Sequence, residues 1–216
     1  SQTLGSDTAA EQGAIFFENI VNENTTSKRQ LIIHEIMGRN CGWLTAATAQ
    51  KYRQRLKSRT FYNQNGLNKV CWDIHAVYIP EIDINFKKES NRLSNLMNSI
   101  DCVNIFLSEG AGLNNIVKEL ESEGKKVRRD AFGHVRLDEI NPGQWFAKKI
   151  ANWTQAEKIL VQKSGYFARS SAPNQNDLAL IDKISDKAVG YALKKKSGVA
   201  APSDNNDGEI KCINFT

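Results

Sequence analysis

The feature that most constrains this chain is the regular alternation of short apolar, β-branched runs with longer amphipathic stretches. Short apolar runs are typical of strands buried on both faces of a sheet, and the longer stretches have the period of a helix. Strands that alternate with helices predict an α/β fold, a three-layer α/β/α sandwich around a mainly parallel sheet. The predicted strands are residues 30–36, 74–79, 102–107 and 159–162, and the predicted helices are 8–24, 41–57, 86–99, 114–123, 144–151 and 177–195.

Three further segments fit neither pattern. Residues 58–73 are polar and irregular, which predicts a surface excursion, and residues 203–207 predict a polar turn. Residues 127–137 predict extended backbone. The length of 216 residues allows one large domain or two small ones.

The composition argues against several classes of protein. The net charge of +5 comes from mostly scattered basic residues, which is a weak argument for nucleic acid and fits anionic small substrates equally well. The four cysteines have no metal-ligand spacing, so we expect free thiols in a reducing cytosol. No apolar run approaches the ~20 residues of a membrane span, and we expect no signal peptide, because the first residues are polar. We therefore expect a cytoplasmic protein that binds neither nucleic acid nor membrane.

The candidate functional groups follow the predicted strands, because ligands of parallel sheets bind at the carboxyl ends of strands. After the first strand, Gly38 and Gly42 flank Arg39 where the chain enters a helix. Glycine lets the backbone approach a ligand, a helix N-terminus attracts anions, and a guanidinium binds phosphate. The sequence therefore predicts a sugar-phosphate site. The alternative is that Arg39 is a solvated turn residue paired with a nearby acid.

Two later strand ends also carry polar side chains. Glu109 precedes two glycines, and its carboxylate can accept hydrogen bonds from sugar hydroxyls. The alternative is that Ser108 or Glu109 caps the next helix. Tyr166 and Arg169 combine a hydroxyl with a guanidinium, and here the alternative is a core tyrosine and a surface arginine.

The histidines do not point to a reaction. His34 lies inside a strand, which predicts a core histidine with its hydrogen bonds satisfied, and His75 opens the second strand. His134 has arginines nearby and could contact an anion. The sequence has no catalytic triad, metal-ligand cluster or glycine-rich phosphate loop, so these residue patterns alone do not name an activity.

Four segments, in the same order, resemble the phosphofructokinase family. Residues 35–45 resemble its Met-Gly-Arg segment, and 105–111 resemble a strand that ends in a substrate-binding glutamate. Residues 128–135 resemble the following basic block, and 164–170 resemble a Tyr-x-x-Arg substrate clamp. Residues 136–143 lack the Gly-Gly pair of ATP-dependent bacterial members, and this departure resembles the pyrophosphate-dependent branch, as does the excursion at 58–73.

The resemblance implies a fructose 6-phosphate site. The substrate-binding residues that it implies are Met37, Gly38, Arg39, Glu109, Tyr166, Phe167, Ala168 and Arg169. Arg128 and His134 match positions that reach the 6-phosphate in the family, in some members from a neighbouring subunit. We treat those two as secondary candidates.

The resemblance also implies properties of the whole protein. It implies a homo-oligomeric enzyme of glycolysis and gluconeogenesis that uses Mg²⁺ and pyrophosphate to phosphorylate fructose 6-phosphate. The family's donor loop, Mg²⁺ ligands and catalytic aspartate would precede Ser1, so we expect no catalytic or metal-binding residue in this chain. Residues 1–216 would then be a partial domain, truncated at both ends and inactive alone. An ATP-dependent phosphofructokinase and a non-catalytic sugar-phosphate-binding domain are the alternatives.

Overall fold

A computed structural model of the chain describes residues 3–62, 68–203 and 208–215. The predicted excursion at 58–73 and the predicted turn at 203–207 therefore lie partly outside the described residues, at 63–67 and 204–207. The described helices are α1 (Ser6–Ile20), α2 (Trp43–Ser58), α3 (Phe86–Ile100), α4 (Leu113–Ser122), α5 (Leu137–Ile140), α6 (Pro142–Thr154), α7 (Gly165–Arg169) and α8 (Gln175–Leu193). The described strands are β1 (Gln30–Ile36), β2 (Ala76–Tyr78), β3 (Cys102–Ser108), β4 (Lys158–Lys163), β5 (Val199–Pro202) and β6 (Ile210–Ile213).

Strands β1 to β4 form one parallel sheet in the order β2-β3-β1-β4. β1 and β3 pair along their whole length, from Gln30 opposite Cys102 to Ile36 opposite Ser108. All residues of both strands are buried, as expected for strands covered on both faces. The prediction of a mainly parallel sheet is confirmed, and the register places the carboxyl ends of β1 and β3 side by side.

Helices cover both faces of this sheet. Leu31 and Ile33 of β1 pack in an apolar cluster with residues of α3, α4 and α6. Ile32 and Ile36 point to the other face, where they pack with residues of α1 and α2. Since a slip of one residue would exchange the two faces, these clusters fix the register that aligns the strand ends. The predicted three-layer arrangement is confirmed for this sheet.

The two helices that follow β1 and β3 begin at glycines. Their N-cap residues are Gly42 and Gly112, and neither helix has a side-chain cap. By contrast, the side chain of Asn85 caps α3 by accepting a hydrogen bond from the Lys88 amide. The first amides of a helix attract anions. The N-cap residues of α2 and α4 therefore supply no side-chain cap of their own at this edge of the sheet.

The chain divides into two compact units. The larger unit, Ala10–Phe167, contains the four-stranded sheet. The smaller unit combines Ser1–Ala9 with Ala168–Thr216, and it contains α8 and the antiparallel pair β5–β6. The interpretation of residues 1–216 as one partial domain stays a prediction.

The segment 127–137, predicted to be extended, forms a turn instead. A single antiparallel bridge joins Arg129 to Val135, and the chain then enters α5. The side chain of Asp130 accepts hydrogen bonds from two backbone amides inside the turn. Such bonds compete with strand pairing, which is why the prediction of extended backbone is wrong at the turn.

The other predicted elements are present, with shifted ends. β2 is shorter than predicted, and the first helix continues as a 3₁₀ helix over Val21–Thr25. α5 and α7 were not predicted, because helices of 4 and 5 residues are too short to show a helical period. The longest described helix, α8, has 19 residues, and no helix in the described part of the chain is long and apolar enough to cross a membrane.

Candidate functional site

The loop that leaves β1 depends on a glycine. Gly38 has a φ of +148°, which residues with a side chain rarely adopt. A Cβ at this position would lie 2.4 Å from the carbonyl oxygen of Cys41 and 2.8 Å from Oγ of Ser108. The same hydroxyl of Ser108 donates a hydrogen bond to the carbonyl oxygen of Gly38 over 2.6 Å. The loop therefore turns tightly against the end of β3.

The loop that follows β3 lies against the same turn. A Cβ on Gly110 would lie 1.7 Å from the carbonyl oxygen of Arg39, so the two backbones approach at a position where only glycine fits. The backbone amide of Glu109 donates to the carbonyl oxygen of Ile36 over 3.0 Å. The side chain of Glu109 accepts a hydrogen bond from the Gly38 amide over 3.2 Å. These contacts bring Gly38, Arg39 and Glu109 together.

The alternative role of Ser108 or Glu109 as a helix cap is wrong. α4 begins after Gly112, and no side chain caps it. The Glu109 side chain is half-buried and directed to the Gly38 amide instead. An ionised carboxylate has about four acceptor positions, so one bond to an amide leaves capacity for sugar hydroxyls.

Arg39 lies between two cavities at this edge of the sheet. Arg39 and Asn40 line both of them. The smaller cavity has a volume of about 270 Å³ and extends toward Asp83 and Gly112. The larger has a volume of about 450 Å³; its charged lining side chains are Arg39, Lys118, Glu121 and Arg129, and His134 lines it as well. The larger cavity is therefore the one that favours an anion.

Arg39 is paired with an acid, as the alternative interpretation of this residue has it. Its Nη1 lies 3.6 Å from Oδ2 of Asp130, and about a third of each side chain is exposed. Nδ1 of His134 lies 3.5 Å from the same carboxylate oxygen. Both distances are long for a hydrogen bond, and an exposed ion pair contributes only ~0–1 kcal/mol. The pairing is therefore compatible with phosphate binding by Arg39.

The carboxylate of Asp130 is held in its ionised form. Desolvation would raise its pKa, but hydrogen bonds from the backbone amides of His134 and Phe132, together with the charge of Arg39, outweigh desolvation and lower the pKa. Both amides donate to Oδ1 over 2.9 Å. Asp130 therefore places a fixed negative charge beside Arg39.

The two secondary candidates, Arg128 and His134, lie in different surroundings. His134 lines the larger cavity, next to the partner of Arg39. Arg128 is 71% exposed, and its Nη1 lies 3.8 Å from Oε1 of Glu139. Arg136 shares that carboxylate over 3.2 Å. Of the two candidates, only His134 lies beside the Arg39 pair.

The first residues of the Tyr-x-x-Arg segment lie in the larger unit. Gly165 packs against Met37, since a Cβ on Gly165 would lie 3.3 Å from Cγ of Met37. Tyr166 is 89% exposed, so the alternative of a core tyrosine is wrong. The ring of Phe167 packs on Phe16, with 5.4 Å between the ring centroids.

The last two residues of that segment belong to the smaller unit. Ala168 is buried and Arg169 is exposed, and an exposed position agrees with the alternative of a surface arginine. The proposed contacts of residues 166–169 with a sugar phosphate stay predictions.

Glu35 is a buried acid at the end of β1 whose contacts sequence reasoning missed. Its Oε1 lies 2.9 Å from Nζ of Lys163. Its Oε2 accepts a hydrogen bond from the Gly143 amide over 2.9 Å. A carboxylate at this helix N-terminus joins the ends of β1 and β4 to the start of α6. The available signals were an acid inside an apolar strand and a Pro-Gly pair at a predicted helix start.

Glu81 joins a further strand end to the site. It follows β2, and its Oε1 accepts a hydrogen bond from the Gly42 amide over 2.8 Å. This bond lowers the pKa of Glu81. A Cβ on Gly42 would lie 2.3 Å from Cβ of Ile79, so the start of α2 also packs closely on the end of β2.

The prediction of a core histidine at His34 is confirmed, with one difference. His34 is fully buried, and its Nε2 lies 2.7 Å from Oγ of Ser164. Its Nδ1 has no hydrogen-bond partner among the described residues. Burial lowers the pKa of His34 to about 3. His34 is therefore neutral at physiological pH and is satisfied at only one nitrogen.

The described residues do not fit a metal site. Among residues 3–62, 68–203 and 208–215, no group of three or more His, Cys, Asp or Glu side chains could hold a metal ion. All four cysteines are free thiols.

Similarity to known proteins is extensive. The sequence model of the family described as Phosphofructokinase matches residues 1–192. A relative from Methylomonas methanica, named pyrophosphate--fructose 6-phosphate 1-phosphotransferase, is 50% identical over 214 residues, which cover 99% of this chain and 52% of the relative. A relative of the same name from Mastigamoeba balamuthi is 49% identical, with 99% and 52% covered. The chain thus spans about half the length of the curated relatives it matches.

Solved structures have the same fold. A pyrophosphate-dependent phosphofructokinase from Nitrosospira multiformis matches with a TM-score of 0.58 and 13% identity, over 97% of this chain and 45% of that one. Pichia pastoris phosphofructokinase in the T-state matches with a TM-score of 0.57 and 16% identity, over 99% of this chain and 19% of that one. At these identities the likeness shows the fold alone. Because the family model covers most of its length, the chain belongs to the phosphofructokinase family.

Proposed function

We propose that the protein containing this chain is a pyrophosphate-dependent phosphofructokinase of glycolysis and gluconeogenesis, acting in the cytoplasm. It transfers a phosphoryl group from pyrophosphate to the 1-hydroxyl of fructose 6-phosphate, giving fructose 1,6-bisphosphate and phosphate. The chain of 216 residues supplies the fructose 6-phosphate site. The names of the two similar relatives support pyrophosphate rather than ATP as the donor.

The contact between the loops after β1 and β3 carries this proposal. The hydrogen bond from the Gly38 amide to Glu109, and the close approach of Gly110 to Arg39, hold a guanidinium and a carboxylate at one edge of the sheet. Fructose 6-phosphate needs a cationic partner for its phosphate and an acceptor for its hydroxyls. Because these contacts fix the backbone of both loops, the backbone of Arg39 and the carboxylate of Glu109 are held in position before the substrate arrives.

Each group has a defined task in the reaction. Arg39 neutralises charge on the sugar phosphate, and Glu109 accepts a hydrogen bond from a sugar hydroxyl. Met37, which packs beside Gly165, and the following residues Tyr166 and Phe167 add further contacts to the sugar. Phosphoryl transfer depends mainly on positioning and charge neutralisation, so residues that bind the acceptor sugar contribute directly to the rate.

We propose that the remaining chemistry is supplied by groups outside these 216 residues. A general base must take the proton of the 1-hydroxyl, and Mg²⁺, when bound, neutralises charge on the pyrophosphate. The described residues of this chain offer no metal cluster. We assign the base, the donor site and the Mg²⁺ ligands to other parts of the full-length protein.

Assembly into a homo-oligomer is part of the proposal. The turn at 130–134 carries Phe132, which is 86% exposed, next to the exposed Arg128. Exposed aromatic and arginine side chains are typical anchors of protein interfaces. Light scattering of the full-length protein tests this by measuring its molar mass in solution. If a Phe132→Ala variant has the same oligomeric state as the wild type, this turn is not part of the interface.

The experiment for the proposed function uses the full-length gene product. It is assayed with fructose 6-phosphate and Mg²⁺, with pyrophosphate and ATP offered in separate reactions. We expect turnover with pyrophosphate and none with ATP. Turnover with ATP alone would replace pyrophosphate by ATP as donor and leave the sugar site in place.

A lack of turnover with both donors would contradict the proposed activity. Direct titration with fructose 6-phosphate then decides what remains. Saturable binding would identify a non-catalytic sugar-phosphate-binding protein, and its absence would refute the site itself. We expect the isolated 216-residue chain to be inactive with either donor.

A further inference from the structure

We infer that Asp130 is a fixed counter-charge that limits the affinity of the Arg39 site for phosphate groups. The inference rests on the proposed function, and it assigns a role to a residue whose side chain faces Arg39 without lying at a strand end. Asp130 acts through Arg39 and is a positioning and affinity-setting residue rather than a catalytic one.

The two carboxylate oxygens of Asp130 have different partners. Oδ1 accepts hydrogen bonds from the backbone amides of Phe132 and His134, both over 2.9 Å. Oδ2 faces Nη1 of Arg39 at 3.6 Å and Nδ1 of His134 at 3.5 Å. The bonds to Oδ1 fix the carboxylate in the turn, so Oδ2 cannot swing away when an anion arrives.

The neighbouring cavity is built for an anion. Its volume is about 450 Å³, and Arg39, Lys118, Arg129 and His134 line it, with Glu121 as the acidic lining residue. A phosphate that reaches Arg39 from this cavity forms charge-assisted hydrogen bonds, which are shorter and stronger than the loose contact at 3.6 Å. It also meets the negative charge of Asp130, whose Oδ2 lies 3.6 Å from Nη1 of Arg39.

The counter-charge has a functional consequence. An anion that offers only a phosphate group is attracted by Arg39 and repelled by Asp130. Because the repulsion offsets part of the attraction, such an anion binds weakly. Fructose 6-phosphate adds hydroxyl contacts with Glu109, whose side chain is bonded to the Gly38 amide next to Arg39. Asp130 therefore makes occupation of the site depend on the sugar as well as on the phosphate.

The test is Asp130→Asn in the full-length protein. Asparagine keeps an oxygen that accepts the two amide hydrogen bonds, removes the charge, and turns an amide NH2 group instead of Oδ2 toward Arg39. Since the ion contact is partly exposed, its effect stays within about a factor of ten. We expect a KM for fructose 6-phosphate roughly three- to tenfold lower, kcat changed less than about twofold, and a gain that shrinks at high salt because exposed charges are screened.

Two further variants separate charge from structure. Asp130→Ala removes the oxygen that accepts the two amide hydrogen bonds of the turn. We expect it to lower the melting temperature, whereas Asp130→Asn leaves the melting temperature unchanged. Asp73→Asn is the matched control, because Asp73 pairs with Arg53 over 2.9 Å at an exposed position elsewhere. That variant leaves the KM unchanged.

An unchanged or higher KM for fructose 6-phosphate in Asp130→Asn overturns the inference. The proposed function is unaffected by that result as long as the wild type turns over. If the wild type neither binds nor phosphorylates fructose 6-phosphate, the proposed function fails and inorganic phosphate becomes the deciding probe. Tighter phosphate binding by Asp130→Asn than by the wild type then supports the counter-charge. Equal or weaker phosphate binding, or none, overturns it.

Discussion

The backbone amide of Gly38 donates a hydrogen bond to Oε1 of Glu109 across 3.2 Å, and this bond joins the end of β1 to the end of β3. The bond exists because Gly38 adopts a φ of +148°. A side chain there would collide with the carbonyl oxygen of Cys41 and the hydroxyl of Ser108. The conformation of one glycine therefore sets where Glu109 and Arg39 stand relative to each other.

We expect Gly38→Ala to destabilise the protein by about 1–3 kcal/mol, the cost of forcing a side chain into such backbone. The same variant should weaken fructose 6-phosphate binding, because relief of the clash shifts the backbone amide that donates to the Glu109 carboxylate. Urea unfolding and titration with the sugar phosphate measure the two effects. A variant with wild-type stability and affinity would show that the turn does not depend on glycine.

Gly190→Ala is the matched control. Gly190 lies inside α8, and a Cβ there would meet nothing within 4 Å. Alanine is favoured over glycine in a helix interior by about 0.5–1 kcal/mol. We therefore expect this variant to be slightly more stable than the wild type and unchanged in sugar-phosphate affinity.

Much of the fold could be predicted from the sequence, because the strands next to the site are short apolar runs. β1 and β3 are buried at every position, and a strand of that kind belongs inside a parallel sheet. The clustering of Arg39 and Glu109 could also be predicted, since parallel strands place their carboxyl ends at one edge.

The partners of those residues could not be predicted. The contact of Asp130 with Arg39 spans a long stretch of chain and depends on a turn held by side-chain hydrogen bonds. An acid inside an apolar strand marks Glu35 as unusual, but no local pattern indicates its partners Lys163 and Gly143, which lie far along the chain. Pairings of this kind arise from packing, which a local pattern does not encode.

His34 makes the stability of the protein depend on pH. Burial lowers its pKa to about 3 in the folded protein, whereas an unfolded histidine titrates near ~6.5. Between these values the unfolded chain binds a proton that the folded protein does not. The stabilisation is therefore complete above about pH 6.5 and falls as the pH decreases, by up to ~1.4 kcal/mol per pH unit.

His34→Phe tests this dependence, because phenylalanine fits the aromatic surroundings of Phe17 and Phe106 and does not titrate. Lowering the pH from 7.5 to 5.5 should reduce the unfolding free energy of the wild type by about 1.4 kcal/mol relative to that of the variant. Parallel pH profiles of the two proteins would contradict the assignment of a neutral, buried His34.

In the smaller unit, the buried carboxylate of Asp177 accepts hydrogen bonds from the amides of Gly5 and Thr8, over 3.0 Å and 2.7 Å. It thereby caps the start of α1. Asp177→Ala leaves these amides without their acceptor, and we expect a loss of about 2–4 kcal/mol in unfolding free energy. Asp182→Ala, on the exposed side of the same helix, should stay within about 0.5 kcal/mol of the wild type. Equal unfolding free energies of the two variants would contradict the assignment of Asp177 as the cap of α1.

The central claim is that Arg39, fixed between the ends of β1 and β3, binds the phosphate of fructose 6-phosphate. The direct measurement is the KM for fructose 6-phosphate of the full-length Arg39→Ala variant, with pyrophosphate as donor. A charge-assisted hydrogen bond contributes ~1.5–3 kcal/mol, so the KM should rise about ten- to a hundredfold. Arg53→Ala, which breaks an exposed pair with Asp73, should leave it unchanged. A KM in Arg39→Ala equal to that of the wild type would contradict the account.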